Sequence, residues 1–218
     1  MEDQNKIFKQ LNICKYTIEE RFFSRRNDVC KLHAKRISGE EFFIVLKIFN
    51  CGKIQDEFTV INALQGIRVP KVLAKSGNTI YLEYISGPTF LAAFESSEAK
   101  GEPCNKLIEQ FVDFLRSFYD ALPGSIYGDV NFRNFIVGSG GVYGVDFENV
   151  HTGSKETDIG KAVAFLQTYN PAFTDYKKGM AEFLIQYSAA ELNLDISSIL
   201  NAAEKEFQNM ELRRNKKK

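Results

Sequence analysis

The hydrophobic period of this chain is mostly strand-like before residue 85 and mostly helical after it, and that division limits the folds open to it. Before residue 85 the apolar residues come in short, strand-like runs, Tyr16 to Phe23, Val29 to Ala34 and Glu41 to Phe49. Ser24-Arg25-Arg26-Asn27-Asp28 and Ser38-Gly39-Glu40 separate them, a pattern that predicts an antiparallel meander. Lys53 to Gln65 has a helical period instead. Ile54, Phe58, Ile61 and Leu64 fall at i, i+4, i+7 and i+10, and Glu57 lies on the same face. After Pro70, Val72-Leu73-Ala74 and Thr79 to Tyr84 predict two more strands around the turn Ser76-Gly77-Asn78. Ile85-Ser86-Gly87-Pro88 then interrupts both periods.

Beyond that break, a polar stretch runs to Asn105. Leu107, Ile108, Phe111, Phe114, Leu115 and Phe118 then form one helical face that ends near Pro123-Gly124. Phe135-Ile136-Val137 and Val142 to Val145, joined by Gly138-Ser139-Gly140-Gly141, predict a hairpin. Helices are expected over Thr157 to Thr168, Thr174 to Ala190 and Ile196 to Leu212. The sum is an α+β chain. Residues 1–85 form a five-stranded antiparallel sheet with one helix, and residues 86–218 form a mainly helical unit carrying the hairpin.

Composition narrows the partners. With 28 basic and 28 acidic residues the formal net charge is zero, so no global field attracts nucleic acid or an anionic membrane. The one charge run, Arg213-Arg214-Asn215-Lys216-Lys217-Lys218, reads as a solvated terminus rather than a phosphate-seeking arm. Cys14, Cys30, Cys51 and Cys104 show no CxxC pairing, and His33 and His151 are the only histidines. Neither a zinc site nor a disulfide framework is indicated. No apolar run reaches the length of a membrane span, and Met1 to Gln10 is polar, so a cytoplasmic protein is expected. Forty-four per cent hydrophobic residues, with nineteen Phe and no Trp, predict a core built from aromatic packing.

Two stretches carry chemistry, Tyr127-Gly128-Asp129-Val130-Asn131-Phe132-Arg133-Asn134 and Val145-Asp146-Phe147-Glu148. The hairpin brings Asn134 and Asp146 to one end. Phosphoryl transfer needs this set: a loop carboxylate to orient the acceptor hydroxyl, and an amide and a carboxylate for a divalent metal. It also needs a cation for the α- and β-phosphates and an acid to fix that cation. Lys47 sits inside the apolar run Phe42 to Phe49, where a buried charge requires a partner, and Glu57 is the candidate. Glu148 is either a second metal-adjacent carboxylate or a solvent-facing residue. Asp158 is expected to cap the following helix or to brace the loop.

The order Lys47, Glu57, Asp129, Asn134, Asp146, Asp158 resembles the protein-kinase-like superfamily, nearest its aminoglycoside phosphotransferase and RIO kinase branches. Arg68-Val69-Pro70-Lys71-Val72-Leu73 resembles their link into the fourth strand, and Leu82 to Gly87 their hinge. Asp146-Phe147-Glu148 and Asp158-Ile159-Gly160 resemble the paired motifs of aminoglycoside phosphotransferase-like enzymes. The resemblance spans about residues 20 to 168 and implies a two-lobed fold with ATP and Mg2+ between the lobes. In it Asp129 is catalytic and Asn134 and Asp146 hold magnesium. Lys47 and Glu57 serve the phosphates, and backbone at Glu83 to Ile85 meets the adenine. The implied activity is transfer of the γ-phosphoryl group to a hydroxyl of a small molecule. A RIO-like protein kinase or ATPase, or a nucleotide-binding scaffold, is the alternative.

The chain departs from that pattern in three places. Ser24 to Asp28 contains no glycine, so Ser24 or Asn27 would stand in for the phosphate cradle. Tyr127 replaces the histidine that normally braces the loop, so that brace is expected to be missing. The region after Asp158 is short for an acceptor pocket. The acceptor and the oligomeric state have no motif.

Overall fold

The computed structural model describes residues 2–50 and 54–215. Lys53, with which the expected helix begins, Cys51 and the last three lysines of the basic tail lie outside the described residues. The chain divides into two compact units. One comprises Met1–Gln65 and Val69–Ile85, the other Gly66–Arg68 and Ser86–Lys218.

In the first unit β1 (Ile13–Phe22), β2 (Asn27–Arg36), β3 (Glu41–Phe49), β4 (Val72–Ser76) and β5 (Thr79–Glu83) make one antiparallel sheet. Its order is β1-β2-β3-β5-β4. Cys30 stands opposite Leu46, and Leu46 opposite Tyr81, so these side chains share a face. With Ile13, Leu32, Ala34 and Ile44 they pack against Ile7 and Phe8 of α1 (Glu2–Gln10). The other face carries Lys47, opposite Val29 and Ile80, and meets α2 (Ile54–Ala63), whose buried residues are Glu57 and Ile61. A helix thus packs on each face of the sheet, and the expectation of one helix in this unit is corrected to two. The first ten residues concealed α1 because only Ile7 and Phe8 of it anchor the core.

The second unit is built on phenylalanines packed in tilted and edge-to-face pairs. α3 (Phe90–Lys100) and α4 (Asn105–Ala121) enclose Phe90, Phe94, Phe111, Phe114 and Phe118, all fully buried. The ring of Phe132 lies 4.5 Å from that of Phe90, and Phe135 lies 4.9 Å from Phe111. Burying each such ring stabilises by about 1.5–3 kcal/mol. α3 was not expected from the sequence, since its apolar set, Phe90, Leu91 and Phe94, occupies only the first turn and a half. Its ends are nonetheless marked. Thr89 Oγ1 accepts the Ala92 N–H, and Gly101 closes the helix in the left-handed conformation with φ of 66°.

The hairpin of β7 (Phe135–Gly138) and β8 (Gly141–Gly144) lies beside α4, and a two-residue ribbon pairs β6 (Ser125–Ile126) with β9 (His151–Thr152). Arg68 pins the hairpin by donating from Nε to the Val142 carbonyl (3.0 Å) and from Nη2 to Asp113 (2.8 Å). α5 (Lys155–Thr168), α6 (Asp175–Leu192) and α7 (Ile196–Asn215) complete the unit, giving seven α-helices among the described residues. The structure is α+β with a five-stranded antiparallel sheet. No helix among the described residues is long and apolar enough to cross a membrane.

α5 and α7 touch at Gly160, where an added Cβ would lie against Ala202 and the backbone of Ala203, whereas Gly179 on α6 faces open space. Gly160→Ala should therefore destabilise by about 1–3 kcal/mol through overpacking. Gly179→Ala should stabilise by about 0.5–1 kcal/mol by restricting the unfolded chain. Urea midpoints at unchanged slope read both. Arg116, and then Arg68, hold the Asp113 carboxyl below its ordinary value of 3.8. The stability this contributes is present above that value and is lost as pH falls through the lower folded one. Asp113→Asn should flatten the acid limb of a pH series of melting temperatures, less so in high salt.

Candidate functional site

In the first unit the lysine read from an apolar strand does have a partner. Lys47 Nζ donates to Glu57 Oε2 at 2.7 Å, with the two residues 6% and 1% exposed. The Nζ also lies 5.2 Å from the Phe49 ring centroid. Desolvating two charges is costly, so a pair held this deep adds little net stability by itself. Once formed it is expensive to break one-sidedly. Ser24 Oγ accepts the Asn27 N–H (3.2 Å) and closes the β1–β2 turn, and Asn27 is buried at the start of β2. Glu83 ends β5 with its N–H donating to the Lys71 carbonyl (2.9 Å), and Ile85 closes the unit.

In the second unit the loop before Asp129 is fixed by one buried carboxylate. Asp158, on the fourth residue of α5 and fully buried, accepts the Tyr127 N–H (2.7 Å), the Gly128 N–H (2.9 Å) and the Tyr119 hydroxyl (3.1 Å). It braces the loop and does not cap the helix, which begins after Ser154. Burial pushes its pKa up, while those three donors and Lys161 pull the other way. All three of these bonds have it accepting, the pattern of an ionised carboxylate. Gly128 has φ of +82°, and a Cβ there would collide with the Asn149 carbonyl. Only glycine fits.

Tyr127 corrects an expectation. Its ring is fully buried among Phe114, Phe118, Phe135 and Phe147, and its hydroxyl donates to the Val145 carbonyl at 2.8 Å. The brace expected to be lost with histidine is present, supplied by a phenol that ties the loop to the strand before Asp146.

The loop then turns through a single 3-10 turn, Phe132–Asn134, capped by the Asn131 side chain, which accepts the Arg133 N–H (3.0 Å). Tyr169 on the far side donates to Asn131 Oδ1 and accepts the Phe132 N–H, both at 3.0 Å. Asn134 Nδ2 donates to the Asp129 carbonyl (3.0 Å). That commits the amide nitrogen and leaves Oδ1 as the atom suited to a cation. The Val145 N–H donates to the Asn134 carbonyl (2.9 Å), which places Asn134 and Asp146 at one end of the hairpin.

Asp146 has φ of +74°, a conformation that a non-glycine residue holds only when its surroundings impose it, as at functional sites. Its carboxylate and that of Glu148 lie within 4.8 Å of one another, both half-buried. Asp129 is also half-buried, and its pKa is raised. Burial is the main cause and the charge of Asp146 adds to it, against the lowering effects of the Asn131 N–H, Asn134 and Lys161.

The second unit thus gathers Asp129, Asn134, Asp146 and Glu148, and the first unit gathers Lys47 and Glu57. Sequence reasoning missed Tyr119, Asn131, Lys161 and Tyr169. Asn131 had a local signal, an Asn two residues before a potential N–H partner. The other three act across 33 or more positions, as in the pairs Tyr119–Asp158, Lys161–Gly128 and Tyr169–Phe132. A comparison with models of known protein families finds no match for this chain.

Lys47→Met should cost about 3–5 kcal/mol by leaving Glu57 buried without its cation. Lys47→Met combined with Glu57→Leu should recover most of that loss, as read by urea unfolding of the two variants beside the wild type.

Proposed function

We propose that this protein is an ATP- and magnesium-dependent phosphotransferase that moves the γ-phosphoryl group to a hydroxyl of a small-molecule acceptor, on a two-lobed, kinase-like arrangement of residues 1–85 and 86–218. The observation that carries the reading is the end of the β7–β8 hairpin. There a loop aspartate with a raised pKa, Asp129, shares its surroundings with the oxygen donors Asn134, Asp146 and Glu148.

The donor set suits the metal. Two carboxylates and an amide oxygen are hard ligands of the kind that hold Mg2+ while leaving positions for phosphate and water. Bound there, the metal would neutralise charge on the phosphate oxygens. Asp129 would accept or orient the acceptor hydroxyl proton, a role that a pKa lifted toward neutrality favours. Lys47, oriented by Glu57, would bind the α- and β-phosphates. Ser24 and Asn27 would serve in place of a glycine cradle, and the backbone at Glu83 to Ile85 would meet the adenine. Cys14, Cys30 and Cys104 are unpaired thiols, in keeping with a reducing compartment such as the cytoplasm.

A second reading, nucleotide binding without turnover, has one observation in its favour: the β1–β2 turn, closed by Ser24 Oγ accepting the Asn27 N–H, lacks glycine.

Melting curves with ATP, with and without Mg2+, test the first step. At a hundredfold excess over Kd, ligand stabilises by about 2.7 kcal/mol. In a chain of this size that raises Tm by roughly 5–11 °C. The rise should require Mg2+ and should vanish in Asp146→Ala. No rise at millimolar Mg-ATP would end the proposal. Asp129→Asn should keep the Mg-ATP shift and lower turnover by about 10²–10⁴-fold. A shift without any turnover in the wild type would favour the scaffold reading, and phosphate found on a protein serine would move the acceptor class to protein.

A further inference from the structure

We propose that Lys161 is a positioning residue of this site, one that locks the peptide joining Gly128 to Asp129 and so sets the direction in which the Asp129 carboxylate leaves the loop. The two peptide planes flanking Gly128 are held by different residues of α5. Asp158 Oδ1 accepts the Gly128 N–H at 2.9 Å and so holds the plane before the glycine. Lys161 Nζ donates to the Gly128 carbonyl at 2.8 Å and so holds the plane after it. Asp158 and Lys161 are three residues apart, hence on one face of the helix. The next plane is held in turn by Asn134 Nδ2 on the Asp129 carbonyl.

Glycine is the residue with the least restraint of its own, and this one sits at φ of +82° directly before Asp129. Asp158 fixes Tyr127 and the approach to the glycine but cannot fix rotation beyond it. That rotation is left to Lys161. The side chain is half-buried, and among the described residues the Gly128 carbonyl is the one hydrogen-bond partner of its ammonium.

The catalytic consequence rests on the phosphotransferase reading, whereas the lock itself does not, and the experiment separates them. Lys161→Met and Lys161→Arg are compared with the wild type in two ways. The first is the carbonyl 13C shift of Gly128 together with amide exchange at Tyr127 and Gly128. The second is Mg-ATP turnover. In Lys161→Met the Gly128 carbonyl should move upfield, and exchange at the two amides should rise by up to about tenfold. The value of kcat should fall by about 10- to 100-fold, with KM for ATP within about twofold, because misdirection and not binding is the defect. Lys161→Arg should restore most of each.

Unchanged shifts and exchange in Lys161→Met would overturn the proposal, as would a rise in KM at constant kcat. If the wild type has no turnover, the phosphotransferase reading fails while the shift and exchange data still decide the lock. Should Lys161→Met not fold, Lys161→Gln takes its place: an upfield Gly128 carbonyl shift supports the lock and an unchanged shift overturns it.

Discussion

The buried carboxylate of Asp158 is the interaction on which the second unit's candidate site depends. A charge placed in the interior of a protein must be surrounded by donors, and here two of the donors are backbone N–H groups of the loop that presents Asp129. The energetic need of one residue is thereby converted into the geometry of another. Because apolar replacements would leave those N–H groups buried without acceptors, the loop and α5 hold each other in place. The aromatic core performs the matching task on the other side. Tyr127 brings its ring to the phenylalanine cluster and its hydroxyl to the strand leading into Asp146.

The first unit solves the same problem differently. Its buried charge, Lys47, is met by the Glu57 carboxylate of α2 on one face of a sheet whose other face packs an apolar cluster against α1. With a helix on each face of the sheet, the inner part of β3 can be apolar on nearly every residue and still carry a lysine.

Much of this was readable from sequence for one physical reason, that local signals act over a few residues. Strand alternation, the helical face of Ile54, Phe58 and Ile61, and the glycine-rich turn of the hairpin are all such signals. So is the demand that Lys47 find an acid nearby. α1 and α3 escaped because each buries only two or three side chains, too few to establish a period, although Thr89 and Gly101 mark the ends of α3 by cap chemistry. The contacts that aim the site, Tyr119 and Lys161 onto Asp158 and the loop and Tyr169 onto Asn131, join residues 30 or more positions apart. Nothing in a neighbouring residue announces them. The role of Tyr127 was misjudged because a residue type was equated with a function. The phenol hydroxyl supplies a hydrogen bond of its own from inside an apolar cluster.

The division of the chain also has a bearing on how the protein can be cut. Gly66–Arg68 belongs with the second unit although residues 69–85 return to the first. A fragment beginning at Ser86 would therefore lack the guanidinium that bonds the Val142 carbonyl and Asp113, and its hairpin would begin life with an orphaned acceptor. The second unit is not a contiguous stretch of gene. Supplying Gly66-Ile67-Arg68 through a short added linker, or by permuting the chain ends, is the condition for isolating it with its site intact.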